Sequence, residues 1–208
     1  MGHPIVWVAD VGSVAKGNFA WCRAPYGKPY LPGHDILEFA DGIAKDLTAG
    51  LNVALGFECP LFVPVADNPQ RLTSAREGEG NRSWSARAGC AALAVGLTEY
   101  AWVFEKIRKL AHGVAIRPSF SWEQFVDGKA NLFIWEAFVS GASKHDTDRS
   151  DAETAARTFW SKYPAITEAD DVKADNPFSL VAAALLRSGL AKELSMLSQK
   201  CVVLKSRD

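Results

Sequence analysis

Three short apolar segments of this chain each end in, or close to, an acidic residue. The segments are PIVWVAD (4–10), which ends at Asp10, LNVALGF (51–57), which precedes Glu58, and NLFIWEAF (131–138), which contains Glu136. Apolar runs of this length, bounded by turn residues, are typical of buried strands. Because a carboxylate is costly to bury unless it is paired, acids repeated at strand ends restrict both the fold and the function to consider.

Segments with helical periodicity lie between these strands. Apolar residues recur every three or four positions from Leu93 to Leu110, which predicts a helix over 88–111. Asp35 is a predicted N-cap for a helix that Gly50 ends. Shorter predicted elements are strands at 18–23, 114–117 and 202–204, a helical turn at 121–126, and helices at 151–160 and 177–190. This order predicts an α/β fold, with a mixed sheet and helices on both faces.

Length and composition set further limits. The 208 residues show no internal repeat, low-complexity tract or linker, so we expect a single domain over residues 1–208. The net charge of -1 gives no overall basic field for nucleic acid, so phosphate contacts have to be local or run through a metal. The four cysteines form no CxxC pair, which argues against structural zinc. The N-terminus has no signal-peptide pattern and no apolar run is long enough for a membrane span, which predicts a soluble cytoplasmic protein.

A shared metal site explains the strand-end acids best. Ligands of open α/β sheets collect at the carboxyl ends of the strands, where Asp10, Glu58 and Glu136 are predicted to lie, and Asp151 begins a predicted helix. Converging carboxylates repel one another unless a cation lies between them, and such oxygen-rich sites suit Mg²⁺ or Mn²⁺. Two such ions are able to activate water and stabilise the leaving oxygen of a phosphodiester. The alternative is that each acid caps a helix or pairs with an arginine at the surface.

The N-terminal run VWVADVGSVAKGNFAW resembles the opening of ribonuclease H-like domains, in which the first strand carries the leading catalytic Asp. More narrowly, the chain resembles a domain-of-unknown-function family of predicted ribonuclease H-like nucleases. The segments that carry this resemblance, in order over residues 4–190, are VALGFECPL, RLTSAREGEGNRSWSARAG, FIWEAF and SDAETAARTF. The acid after the third predicted strand is Glu where the family often has Asp.

This resemblance implies a ribonuclease H-like fold and a Mg- or Mn-dependent nuclease or phosphohydrolase. The catalytic and metal-binding carboxylates that it implies are Asp10, Glu58, Glu136 and Asp151. The identity of the last acid stays open, because Asp148 and Asp175 are alternatives to Asp151.

A polar segment over 64–87 carries four arginines and a tryptophan. Arginine binds phosphate in a bidentate manner and tryptophan offers a face on which a base can stack, so the predicted substrate-binding residues are Arg76, Arg82, Trp84 and Arg87. In the alternative, this is a solvated loop whose arginines pair with Glu77 and Glu79. His145 is either a proton shuttle beside the metal or an exposed loop residue.

Three functions compete at this stage. The first is a metal-dependent enzyme acting on nucleic acid or on a phosphorylated small molecule. The turn Asp10–Val11–Gly12–Ser13 also resembles the first phosphate-contacting turn of sugar kinases and actin-like ATPases, but those proteins need two such domains and the chain shows no second glycine-rich phosphate turn. The third is a non-catalytic ribonuclease H-like binding or assembly module. The sequence makes no prediction of the oligomeric state.

Overall fold

A computed structural model describes residues 2–80, 82–139 and 148–206, apart from the side chains of 148–150. Its nine strands are β1 (Ile5–Asp10), β2 (Ala20–Pro25), β3 (Leu31–Gly33), β4 (Val53–Phe57), β5 (Phe62–Pro64), β6 (Pro118–Ser119), β7 (Leu132–Phe138), β8 (Pro177–Ser179) and β9 (Val202–Lys205). Its five α-helices are α1 (Ile36–Thr48), α2 (Arg87–Leu110), α3 (Trp122–Val126), α4 (Asp148–Lys162) and α5 (Leu180–Ser188).

Seven of the strands form one mixed sheet in the order β3-β2-β1-β4-β7-β6, with β9 also paired to β7. The β1–β2 and β2–β3 pairs are antiparallel, whereas β1, β4 and β7 run parallel to one another. In the parallel part, Ala9 pairs with Phe57, which in turn pairs with Glu136. The carboxyl ends of these three strands therefore lie side by side at one edge of the sheet.

The two faces of the sheet build separate hydrophobic cores, because successive side chains of a strand point to opposite faces. Trp7, Leu55 and Ile134 belong to one core together with apolar residues of α1, α2 and α5. Val8 and Phe133 belong to the other core, with apolar residues of α3 and α4. The sheet is therefore covered by helices on both faces, as the sequence predicts.

The most strongly patterned predictions are confirmed. The runs at 4–10, 51–57 and 131–138 form β1, β4 and β7, and the 24-residue helix α2 matches the helix predicted over 88–111. Asp35 caps α1 as predicted, since its carboxylate accepts hydrogen bonds from the backbone N–H groups of Leu37 and Glu38. These elements succeed because a single periodicity covers their whole length.

Two of the shorter predicted elements differ from the structure. The strand predicted at 114–117 is absent, because the backbone of Ala115 and Arg117 bonds to Asn131 and pairing with β7 begins only at Pro118. The helix predicted from 177 begins at Leu180, because residues 177–179 form β8, which pairs with β5 in a separate two-stranded sheet. Across the residues that the structure describes, no helix has the length and hydrophobicity needed to cross a membrane.

Candidate metal centre

Three of the predicted acids converge at the carboxyl end of the parallel strands. One ligand atom from each of Asp10, Glu58 and Asp151 lies within 4.8 Å of the other two. The three residues are 6%, 9% and 1% exposed, respectively. Asp10 is the last residue of β1, and Glu58 follows β4 with its backbone N–H bonded to the Ala9 carbonyl at 2.8 Å. We call these three residues the acidic triad.

Asp151 reaches the triad from the first turns of α4. This helix packs across β1 and β2, and its buried residues Ala152, Ala155 and Phe159 fix its orientation on the sheet. Of the two alternatives for the last acid, Asp175 is exposed and outside the triad, whereas the Asp148 side chain lies outside the described part of the structure. His145, the predicted proton shuttle, also lies outside the described residues.

Glu136, the fourth predicted acid, is not part of the triad. Its cross-strand neighbour is Phe57, which packs in the core beside α1, α2 and α5, so Glu136 lies on the opposite face of the sheet from α4. There it forms two hydrogen bonds with the guanidinium of Arg76, at 2.9 and 2.5 Å, and accepts a third from the Leu61 backbone. Glu136 is level with Phe57, one residue before Glu58. Its side chain therefore meets Arg76 instead of the triad.

The same contacts remove Arg76 from the candidate substrate-binding surface. The Arg76 side chain is fully buried, where it also bonds to Glu79 at 2.9 Å and to the carbonyl of Phe62. Burial opposes the positive charge, but Glu136 and Glu79 outweigh it and raise the pKa of the guanidinium. Trp84 is also used internally, since its indole donates to the Ser74 carbonyl and its backbone to Glu79. We call Arg76, Glu79 and Glu136 the buried ion-pair network.

A cavity of about 760 Å³ opens beside the triad. Asp10 and Glu58 lie on its wall, as do Arg82 from the polar segment 64–87 and Arg87, the first residue of α2. Both arginines are exposed, unlike Arg76. Glu79 and Glu136 also line the cavity, and so do small residues around the start of α2, namely Ala86, Ala88, Gly89, Ala91 and Ala92. Of the four predicted substrate-binding residues, the structure therefore brings Arg82 and Arg87 to the cavity.

Glu99, on α2, is a further acid close to the triad, and the sequence reasoning missed it. Glu99 is 7% exposed. Burial and the neighbouring Asp10 raise its pKa to about 8, because together they outweigh a hydrogen bond with the Gly12 backbone that lowers it. The signal was available in the sequence, because Glu99 shares the apolar stripe of the predicted helix with Gly96, Tyr100, Val103 and Phe104. An acid within such a stripe is a buried carboxylate that needs an explanation.

The centre thus combines three close carboxylates, a cavity and two arginines on its wall. Buried acids this close repel one another, and a hard divalent cation with oxygen ligands relieves that repulsion. Cysteine and histidine are not members of the triad, so the donor set suits Mg²⁺ or Mn²⁺ better than zinc. Comparisons of the chain with protein-family models, with curated proteins and with solved structures found no match.

Proposed function

We propose that this protein is a Mg²⁺- or Mn²⁺-dependent phosphodiester hydrolase of ribonuclease H-like fold. The observation that carries the proposal is the convergence of Asp10, Glu58 and Asp151 within 4.8 Å, beside a cavity with two arginines on its wall. The ribonuclease H-like part is supported by the order of elements that the family resemblance implies, from a first strand that ends in Asp10 to a late helix that carries Asp151.

The residues present fit a divalent cation. The triad supplies carboxylate oxygens alone and is at most 9% exposed, so without a counter-charge its members would face one another in a medium that screens poorly. The Arg76 guanidinium is bonded to Glu136 and Glu79. Asp10, Glu58 and Asp151 would therefore hold the cation.

The cation and the arginines on the cavity wall would have different roles in hydrolysis. A bound divalent cation supplies Lewis acidity, which polarises a phosphoryl oxygen and lowers the pKa of water. Arg82 and Arg87 provide guanidinium groups that bind the phosphate oxygens and oppose the charge that develops on them. The small residues at the start of α2 leave room for the substrate between these arginines and the triad.

The decisive test of this proposal is to measure Mn²⁺ binding to the wild type and to Asp10→Asn by calorimetric titration. The wild type is expected to bind Mn²⁺ saturably and Asp10→Asn to lose that binding, because the triad loses a charged ligand. In Asp10→Asn, the rate of Mn²⁺-dependent cleavage of bis-p-nitrophenyl phosphate and of single-stranded DNA or RNA should be lower than in the wild type by on the order of a hundredfold or more. Asp175→Asn is the matched control, since that exposed acid lies outside the triad.

Unchanged Mn²⁺ affinity in Asp10→Asn would overturn the proposed centre. A folded wild type that binds no Mn²⁺ would favour the non-catalytic binding or assembly module instead. Mn²⁺ binding without cleavage of any phosphodiester would limit the protein to a metal-binding role.

Arg82→Ala is expected to weaken substrate binding without changing metal binding. We expect KM to rise roughly 10- to 150-fold, since a charge-assisted hydrogen bond contributes roughly 1.5–3 kcal/mol, while the Mn²⁺ affinity stays at the wild-type value. Arg71→Ala serves as the control, because Arg71 is an exposed arginine of the same loop that is not on the cavity wall. Equal losses of Mn²⁺ and substrate affinity in Arg82→Ala would mean that the residue supports the loop instead.

A further inference from the structure

A cluster of aromatic side chains lies at the surface, where the turn after β2 meets the end of α4. Its members are His3, Tyr26, Trp160 and Tyr163, and Tyr163 is in ring contact with the other three. The His3 ring stacks on the Tyr26 ring, with the centroids 3.9 Å apart and the planes 25° from parallel. On its other contacts, Tyr26 forms a T-shaped pair with Trp160 at 5.1 Å. We call these four residues the aromatic platform.

The platform has an exposed layer and a supporting layer. Tyr26 is 51% exposed and His3 is also exposed, whereas Trp160 and Tyr163 are partly buried against the hydrophobic core on the α4 side of the sheet. The Trp160 indole donates a hydrogen bond to the Ala24 carbonyl at 3.1 Å, and the Tyr163 hydroxyl hydrogen-bonds with the His3 ring at 3.2 Å. The exposed rings are therefore held in place before any ligand binds, which lowers the entropy cost of binding.

Cationic side chains adjoin the platform. The Arg157 guanidinium, on α4, lies 5.2 Å from the centroid of the Tyr30 ring, and Lys28 is exposed in the turn that carries Tyr26. Within the part of the chain that the structure describes, neither cation forms an ion pair, although Glu153 also lies near Tyr30. Aromatic faces beside available cations are the combination that binds bases and phosphates together.

Helix α4 connects the platform with the metal centre. Asp151 lies near the start of this helix and Trp160 near its end, so about 14 Å along one helix separates the triad from the platform. Arg157 and Trp160 are three residues apart and share one flank of the helix. That flank faces β2 and β3, since Trp160 bonds to Ala24 and Arg157 contacts Tyr30. An extended strand that follows the flank passes from the platform to the triad.

We propose that the aromatic platform binds single-stranded nucleic acid, with bases stacked on Tyr26 and His3 and phosphates bound by Lys28 and Arg157. As a statement about the substrate of the metal centre, this inference rests on the proposed function. Every base has a face that stacks, so the platform selects single strands without selecting a sequence. Duplex DNA is a poorer ligand, because its bases are already stacked and paired. Such local contacts agree with the net charge of -1, which provides no overall basic field.

The test is the affinity of the protein for fluorescein-labelled oligo(dT), measured by fluorescence anisotropy in the presence of a chelator. Tyr26→Ala is expected to raise the Kd roughly five- to 150-fold, which is the loss of one base–aromatic stack. Tyr26→Phe keeps the ring and should bind as the wild type does. Phe178→Ala is the matched control and should also bind normally, because Phe178 is 43% exposed on β8 and is not part of the platform.

The phosphate contacts have a separate readout, which is the salt dependence of binding. Lys28→Gln and Arg157→Gln should each reduce the slope of log K against log salt by about 0.7, because each removes one phosphate contact. Tyr26→Ala should leave this slope unchanged, since stacking on a neutral ring releases no counterions. Unchanged slopes in both cation variants would overturn the assignment of the phosphates to Lys28 and Arg157.

Other outcomes separate this inference from the proposed function. Unchanged oligo(dT) affinity in Tyr26→Ala would overturn the inference, as would equal affinity for a duplex of the same length. A wild type that dimerises in sedimentation, with Tyr26→Ala monomeric, would assign the platform to contacts between two copies instead. Mn²⁺ uptake and cleavage of bis-p-nitrophenyl phosphate without oligo(dT) binding would overturn the inference alone. Platform-dependent oligo(dT) binding without Mn²⁺ uptake would overturn the proposed hydrolase and leave the binding surface standing.

Discussion

Replacing Arg76 with methionine is expected to lower the free energy of unfolding by about 3–5 kcal/mol, because it leaves two carboxylates buried without their cation. The guanidinium donates four hydrogen bonds, to Glu79, Glu136 and the Phe62 carbonyl, and it lies over the Phe62 ring at 4.5 Å. Methionine retains much of the apolar volume, so the loss reports the ion pairs rather than a cavity. Urea unfolding measures the change as a shift in midpoint at constant slope.

Removing the unpaired carboxylates of Glu79 and Glu136 as well should restore much of the stability lost in Arg76→Met. In the triple variant Arg76→Met, Glu79→Gln, Glu136→Gln no carboxylate is left unpaired, so we expect it to be more stable than Arg76→Met alone. Arg71→Met, at an exposed position of the same loop, should change stability by less than about 0.5 kcal/mol. A loss of that small size in Arg76→Met would contradict a structural role for the buried ion-pair network.

Glu99→Gln is expected to make the metal-free protein more stable at high pH, by roughly 3–5 kcal/mol above pH 8. Burial, and to a smaller extent Asp10, raise the pKa of Glu99 from 4.5 to about 8. Between these two pH values the folded protein therefore holds a proton that the unfolded chain releases. The contribution of Glu99 to the stability of the wild type is therefore fully present below pH 4.5 and is lost as the pH rises to about 8. Glutamine does not titrate, so the variant lacks this loss.

The measurement is urea unfolding of both proteins at pH 5, 7 and 9 in the presence of a chelator. The difference between them should grow from pH 5 to pH 9. Glu105→Gln is the control, because Glu105 is on the same helix but pairs with Arg187 away from the cavity, and its difference from the wild type should stay nearly constant. A constant difference for Glu99→Gln as well would mean that its carboxylate is solvated in the folded protein.

The elements that sequence analysis located are those in which one pattern governs a whole segment. The strand that delivers Asp10 and the strand before Glu58 are apolar runs that end in an acid, and the structure brings these two acids together. Asp151 could be assigned to a helix start, although α4 begins three residues earlier, at Asp148. The shared edge of the parallel strands then follows from the fold class.

The separation of Glu136 from the triad arises from strand register, which the sequence leaves open. Glu136 and Glu58 both follow apolar runs, but a shift of one residue sends a side chain to the other face of a sheet. Glu136 pairs with Phe57 rather than with Glu58, and it therefore meets Arg76 instead of the triad. Which arginine of the loop is buried depends on this same register, so Arg76 could not be separated from Arg82 by composition.

The acidic triad joins parts of the chain that are far apart in sequence. Asp10 and Glu58 belong to strand ends of the sheet, whereas Asp151 belongs to a helix that is otherwise held on the sheet by apolar contacts. Anything that binds all three residues in the folded state fastens α4 to the sheet edge and opposes unfolding. A ligand at a hundred times its Kd adds about 2.7 kcal/mol to stability in this way. The melting temperature itself thus becomes an assay of occupancy, one that requires no knowledge of the substrate.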